Sequence, residues 1–97
     1  MKLRFTPRAI DNITEAADYL RVRNPVAAER VRASIYESLQ ALILFPRVGR
    51  RQTVKGVRKI VTRKYSYLVY YMVDEAADEL VILSVKHPAR EREHDDA

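Results

Sequence analysis

Cysteine is absent from the chain, so neither a disulfide framework nor a thiolate metal site can form. Histidine occurs only twice, at His87 and His94, too few imidazoles for a typical zinc site. Neither a metal nor a cofactor is expected. No apolar run approaches the length of a membrane span. The opening Met1-Lys2-Leu3-Arg4-Phe5 lacks the apolar core of a signal peptide. The default reading is a cytoplasmic protein with no membrane partner. Glycine also occurs only twice, at Gly49 and Gly56, and both fall in one short segment. That segment is where a loop is expected.

Acidic residues are absent from another stretch. Residues 46–64 carry Arg47, Arg50, Arg51, Lys55, Arg58, Lys59, Arg63 and Lys64 with no Asp or Glu. The whole chain has a formal charge of +5, so everything outside this stretch is net acidic. A basic function, if present, is therefore concentrated here, and its partner is nucleic acid or an acidic protein segment. The length, 97 residues, fits one domain spanning 1–97. Its 47% hydrophobic content suffices for a core.

Periodicity supplies the elements. Residues 2–6 alternate polar and apolar and read as a short strand. Thr6-Pro7 and Asn24-Pro25 each place a capping residue before a proline at the first helical position. They predict two helices, about residues 7–23 and 25–45, joined by a tight turn into an antiparallel hairpin. Ile10, Ile13, Ala17 and Leu20 form the first apolar stripe. Val31, Ile35, Leu39 and Leu42 form the second, with Ala28 and Ile43 beside it. Pro46 stops the second helix. Residues 46–56 read as a loop, followed by strands at 57–63, 67–73 and 80–86 joined by hairpins. The run 67–73 is apolar or aromatic at both parities and is expected at the sheet centre, covered on both faces. The tail from about residue 91 is polar, so it is expected to fray. The order is β-α-α-β-β-β, an α+β fold with the helical hairpin packed on one face of a mainly antiparallel sheet. The other face is left for a partner or substrate.

Several local sequences, in this order, resemble the RelE/ParE superfamily of bacterial toxins. Phe5-Thr6-Pro7 with Ala9 is similar to the family's opening strand and helix start. Pro25 with Ala27-Ala28 resembles its second helix start, and Pro46-x-x-Gly49-Arg50 its helix exit. Gly56-Val57-Arg58 leading to Leu68-Val69-Tyr70-Tyr71, then residues 81–85 with His87 and Arg90, resemble its sheet. The resemblance covers nearly the whole chain. It implies a type II toxin neutralised by an antitoxin, with which it can form a hetero-oligomer. It also implies one of two targets. RelE-like members cut messenger RNA on the ribosome, whereas ParE-like members inhibit DNA gyrase.

Each reading has candidate residues. RNA cleavage needs proton transfer and positive charge over a phosphate. Arg58 can supply the charge, His87 the proton transfer, and Arg90 a further phosphate contact. Binding of nucleic acid or antitoxin would fall to Arg50, Arg51, Lys55, Lys59, Arg63, Lys64 and Arg92. Plainer roles compete. Arg58 can be an edge-strand arginine. His87 shares parity with Val81, Leu83 and Val85 if the last strand is regular, and so can be a packed histidine. The tyrosines at 36, 65, 67, 70 and 71 can stack bases, but as strand aromatics they are expected mostly in the core. The nuclease branch commonly places an aromatic soon after the last strand, and here no tyrosine follows Tyr71. That departure favours the ParE-like, non-catalytic reading. The RelE-like endoribonuclease, and an inactive toxin that still binds its antitoxin, stay open.

Overall fold

The computed structural model describes residues 1–88. The element order is β1 (Lys2–Phe5), α1 (Pro7–Arg23), α2 (Pro25–Leu44), β2 (Arg50–Arg51), β3 (Val57–Val61), β4 (Leu68–Asp74) and β5 (Glu79–Lys86). Both helix starts follow from their caps. The Thr6 hydroxyl accepts from the Ala9 N–H and the Asn24 side-chain oxygen accepts from the Ala27 N–H, each ahead of a proline that has no N–H to satisfy. Asn24 alone separates the helices, which fixes the hairpin.

The five strands form one sheet in the order β1-β5-β4-β3-β2. All neighbours are antiparallel except β1, which lies parallel to β5. The loop expected at residues 46–56 contains the two-residue strand β2, paired to Arg58 and Lys59 of β3. Two residues are too few to show a period-2 pattern, so composition could not reveal it.

The core lies between the hairpin and one face of the sheet. Val31, Ile35, Leu39 and Leu42 of α2 are all buried, as their spacing requires. In α1 the stripe differs from expectation at its first position. Ala9, Ile13 and Ala17 are buried, Leu20 packs at the margin, and Ile10 is exposed. From the sheet, Tyr67, Val69, Tyr71, Leu80, Ile82 and Val85 complete the cluster.

β4 is the middle strand, as its composition predicts, but it is covered on one face only. Val69 and Tyr71 face the helices. Leu68, Tyr70 and Met72 are half-buried on the opposite face, which no helix covers among the described residues. The apolar character of both parities therefore marks a central strand with an open face. Nor is the last strand regular. Tyr70 pairs with Ser84 and Tyr71 with Ile82, so Leu83 is a bulge residue without a partner in β4. Side-chain parity changes there, which is why Leu80 and Ile82 join Val85 in the core. Two groups of the α1 segment satisfy the disturbed backbone. The Thr6 hydroxyl donates to the Leu83 carbonyl at 2.8 Å, and the Val85 N–H donates to the Asn12 side-chain oxygen at 2.9 Å. No described helix is long and apolar enough to cross a membrane.

Candidate functional site

The basic stretch does not form a single patch, because strand alternation divides it. Arg50 pairs with Lys59, and Lys59 with Tyr70, on the open face of the sheet. Arg51 pairs with Arg58, and Arg58 with Tyr71, on the helix side. Lys55 sits in the turn between β2 and β3, where Gly56 takes a φ of 84° that favours glycine. Arg63 and Lys64 lie beyond β3 in the turn toward β4 and are exposed. That turn contains two non-glycine residues in the left-handed region, Tyr65 and Ser66. The Thr62 hydroxyl holds it in place, donating to the Lys64 carbonyl and accepting from the Tyr67 N–H.

On the open face, Tyr70 is flanked by two ammonium groups. The Lys86 nitrogen is 5.5 Å and the Lys59 nitrogen 5.9 Å from its ring centroid, within the range of cation–π attraction. Lys86 was not among the sequence candidates. Its only signal was its place in β5, and register alone brings it to this face.

On the helix side, the loop leaving α2 is stapled to the sheet. The Tyr71 hydroxyl donates to the Pro46 carbonyl and accepts from the Gly49 N–H, both at 2.9 Å. The Arg58 guanidinium donates to the carbonyls of Arg47, at 3.1 Å, and Gly49, at 2.9 Å. Burial pushes the Tyr71 phenol above its ordinary pKa, against the opposing pull of the Gly49 N–H and the Arg58 charge. Arg47 also pairs with Glu75 across the sheet end.

His87 is exposed and lies beyond the other end of β4, its ring edge-to-face with Tyr67 at 5.4 Å between centroids. Tyr67 and Tyr71 are four residues apart, about 13 Å along a strand. His87 and Arg58 therefore occupy separate regions. Arg90 and Arg92, and with them the tail from residue 91, lie outside the described residues.

The chain is thus a helical hairpin on one face of a five-stranded sheet, with a basic loop and an opposite face that no described helix covers. The fold superposes on the chromosomal ParDE toxin–antitoxin system of P. aeruginosa with a TM-score of 0.77 and 23% identity, covering 90% of this chain and 95% of that one. It superposes on the isolated E. coli RelE toxin with a TM-score of 0.69 and 17% identity, covering 98% and 96%. In sequence it is similar to "Putative toxin Y4kP" of Sinorhizobium fredii, 31% identical over 86 residues, 89% of this chain and 86% of that protein. Residues 3–92 match the ParE toxin of the type II toxin–antitoxin system parDE, and the chain belongs to that family.

Proposed function

We propose that this toxin is held inactive by a cognate antitoxin and, once released, inhibits a protein target without catalysis, DNA gyrase being the favoured one. The observation that carries this reading is the engagement of Arg58. Its guanidinium is bound to two loop carbonyls, and His87 sits at the far end of β4. A phosphate cannot meet both at once in this arrangement, whereas cleavage needs charge and proton transfer within about 3 Å of one reacting centre. The antitoxin partner is supported by the resemblance to the ParDE system and to the intact E. coli RelBE toxin–antitoxin complex.

One observation favours the RelE-like alternative, a ribosome-dependent endoribonuclease. The Tyr70 ring with Lys59 and Lys86 offers a stacking surface beside positive charge, which suits single-stranded RNA. Expression without antitoxin separates the two. Gyrase supercoiling inhibited by the purified chain, with intact transcript ends in the arrested cells, is the expected result. Newly cut messenger RNA with unaffected supercoiling would replace the proposal with the nuclease reading.

A further inference from the structure

The open face of the sheet gathers positive charge around one ring. Arg50 of β2, Lys59 of β3 and Lys86 of β5 stand about Tyr70, with both lysine nitrogens within 5.9 Å of its centroid. Arg50 lies directly opposite Lys59 in the ladder. Like charges in that position destabilise a sheet unless an anion lies between them. The four ion pairs among the described residues use the N-terminal amine, Arg4, Arg21 and Arg47. Neither Arg50 nor Lys59 belongs to any of them.

The chain carries a matching anion in its own sequence. Beyond Pro88 stand the carboxylates Glu91, Glu93, Asp95 and Asp96, against only two guanidinium groups, Arg90 and Arg92. This acidic segment leaves the sheet beside the cations. β5 ends at Lys86, and Pro88 has no N–H with which to extend the ladder. Lys59 lies two strands away, about 10 Å across the sheet. Residues 88–95 span about 10 Å as a helix and more when extended, so either conformation reaches it. Arg50 is one strand further, about 5 Å, within the length of its own side chain.

We propose that the acidic segment 91–96 of this chain folds back on the open face and sets its carboxylates among Arg50, Lys59 and Lys86. The contact is a built-in shield. Single exposed ion pairs are weak, but a short tether holds the segment at an effective concentration of about millimolar. Any anionic partner of the face must therefore displace it, and only one with denser negative charge does so readily. A second copy of the chain is a poorer occupant, because it would set cations against cations. This inference does not depend on which target the toxin meets.

The absence of cysteine makes the test direct. Ala97→Cys gives the full chain a single site for a nitroxide label, and broadening of backbone amide signals reports where the label lies. At low salt, broadening is expected at Arg50, Lys59 and Tyr70. It should be lost at about 1 M salt, where charges are screened beyond about 3 Å. It should also be lost when Glu91→Gln, Glu93→Gln, Asp95→Asn and Asp96→Asn are combined, and in Lys59→Gln with Lys86→Gln. Arg63→Gln with Lys64→Gln should leave it unchanged. Heparin, a soluble polyanion, should bind at low salt and remove the same broadening by displacing the segment. The salt and heparin titrations need no charge variant, so a poorly folded mutant does not blunt the test. Absence of broadening at Arg50, Lys59 and Tyr70, or its persistence once the four acids are neutralised, overturns the proposal. Heparin that fails to bind, or that binds without displacing the label, does the same. Broadening lost in Arg63→Gln with Lys64→Gln but kept in Lys59→Gln with Lys86→Gln would place the segment at the turn between β3 and β4, and the open face would not be its seat.

Discussion

The hydroxyl of Tyr71 and the backbone N–H of Gly49 are 2.9 Å apart in a buried hydrogen bond. A Cβ at position 49 would lie 2.7 Å from the Cε1 atom of that ring. Gly49 is thus required by close approach of the phenol, and its backbone angle makes no such demand. Gly49→Ala must displace Tyr71, a fully buried core residue, and should cost about 1–3 kcal/mol through overpacking. Tyr71→Phe keeps the packing but leaves the Gly49 N–H and the Pro46 carbonyl without their partner. It should cost about 1–3 kcal/mol for the stranded groups. Urea denaturation midpoints check both, and unchanged midpoints would mean that the staple does not hold the loop.

The same phenol gives a pH dependence. Its pKa in the folded state is raised, chiefly by burial, above the ordinary 10.0. Its contribution is therefore fully present below pH about 10 and is lost as pH rises through the folded value. The unfolded chain releases this proton first, so stability falls with alkalinity. Tyr71→Phe has no such group. Its stability should decline less steeply than that of wild type above pH about 10, measured by denaturation at matched ionic strength.

Leu39 is fully buried at the centre of the α2 stripe. Leu39→Ala should cost about 2–5 kcal/mol. A negligible shift in the unfolding midpoint would contradict the packing of α2 on the sheet.

The Asn12 side chain accepts the N–H of Val85 next to the Leu83 bulge. Asn12→Leu removes the acceptor and leaves a part-buried N–H unmatched, at a cost of about 1–3 kcal/mol. The expected signature is local. Exchange of the Val85 amide should accelerate more than that of Leu39, which lies in α2 and away from the bulge. Equal acceleration at both would indicate global destabilisation without a specific anchor.

The two helices and the meander of β3, β4 and β5 were legible because they depend on local signals. Thr6-Pro7 and Asn24-Pro25 mark the helix starts to the residue, and the α2 stripe follows a 3.6-residue period without interruption. What stayed hidden depends on pairing across the sheet. Leu83 has no composition that marks a bulge, yet its insertion reverses side-chain parity and turns Ile82 inward. Ala9, Ile13 and Ala17 are buried at a spacing of four, so Ala9 and not Ile10 opens the α1 stripe. Lys86 reaches Tyr70 only through the register of β4 with β5. The close approach of Tyr71 to Gly49 spans 22 residues, so no local pattern announces it.

Arg58 and His87 together decide the mechanism, provided that folding is measured first. Arg58→Ala removes hydrogen bonds to the Arg47 and Gly49 carbonyls. The side chain is only half-buried, so solvent offsets much of the loss, and about 1 kcal/mol is expected. His87→Ala removes an exposed ring in edge contact with Tyr67, and about 0.5–1 kcal/mol is expected. If the toxin acts by occupying a protein target, His87→Ala should arrest growth almost as well as wild type. Arg58→Ala should lose potency only as far as its loop loosens, and cooling or Arg58→Lys should restore part of it. A nuclease behaves differently. Loss of a general acid or base costs about 10²–10⁴-fold in rate, and cooling cannot restore a missing proton donor. Growth assays of both variants, run beside thermal unfolding of the purified proteins, separate the cases. Loss of growth arrest in a fully folded His87→Ala protein, together with cleaved messenger RNA in cells arrested by the wild type, would overturn the non-catalytic reading.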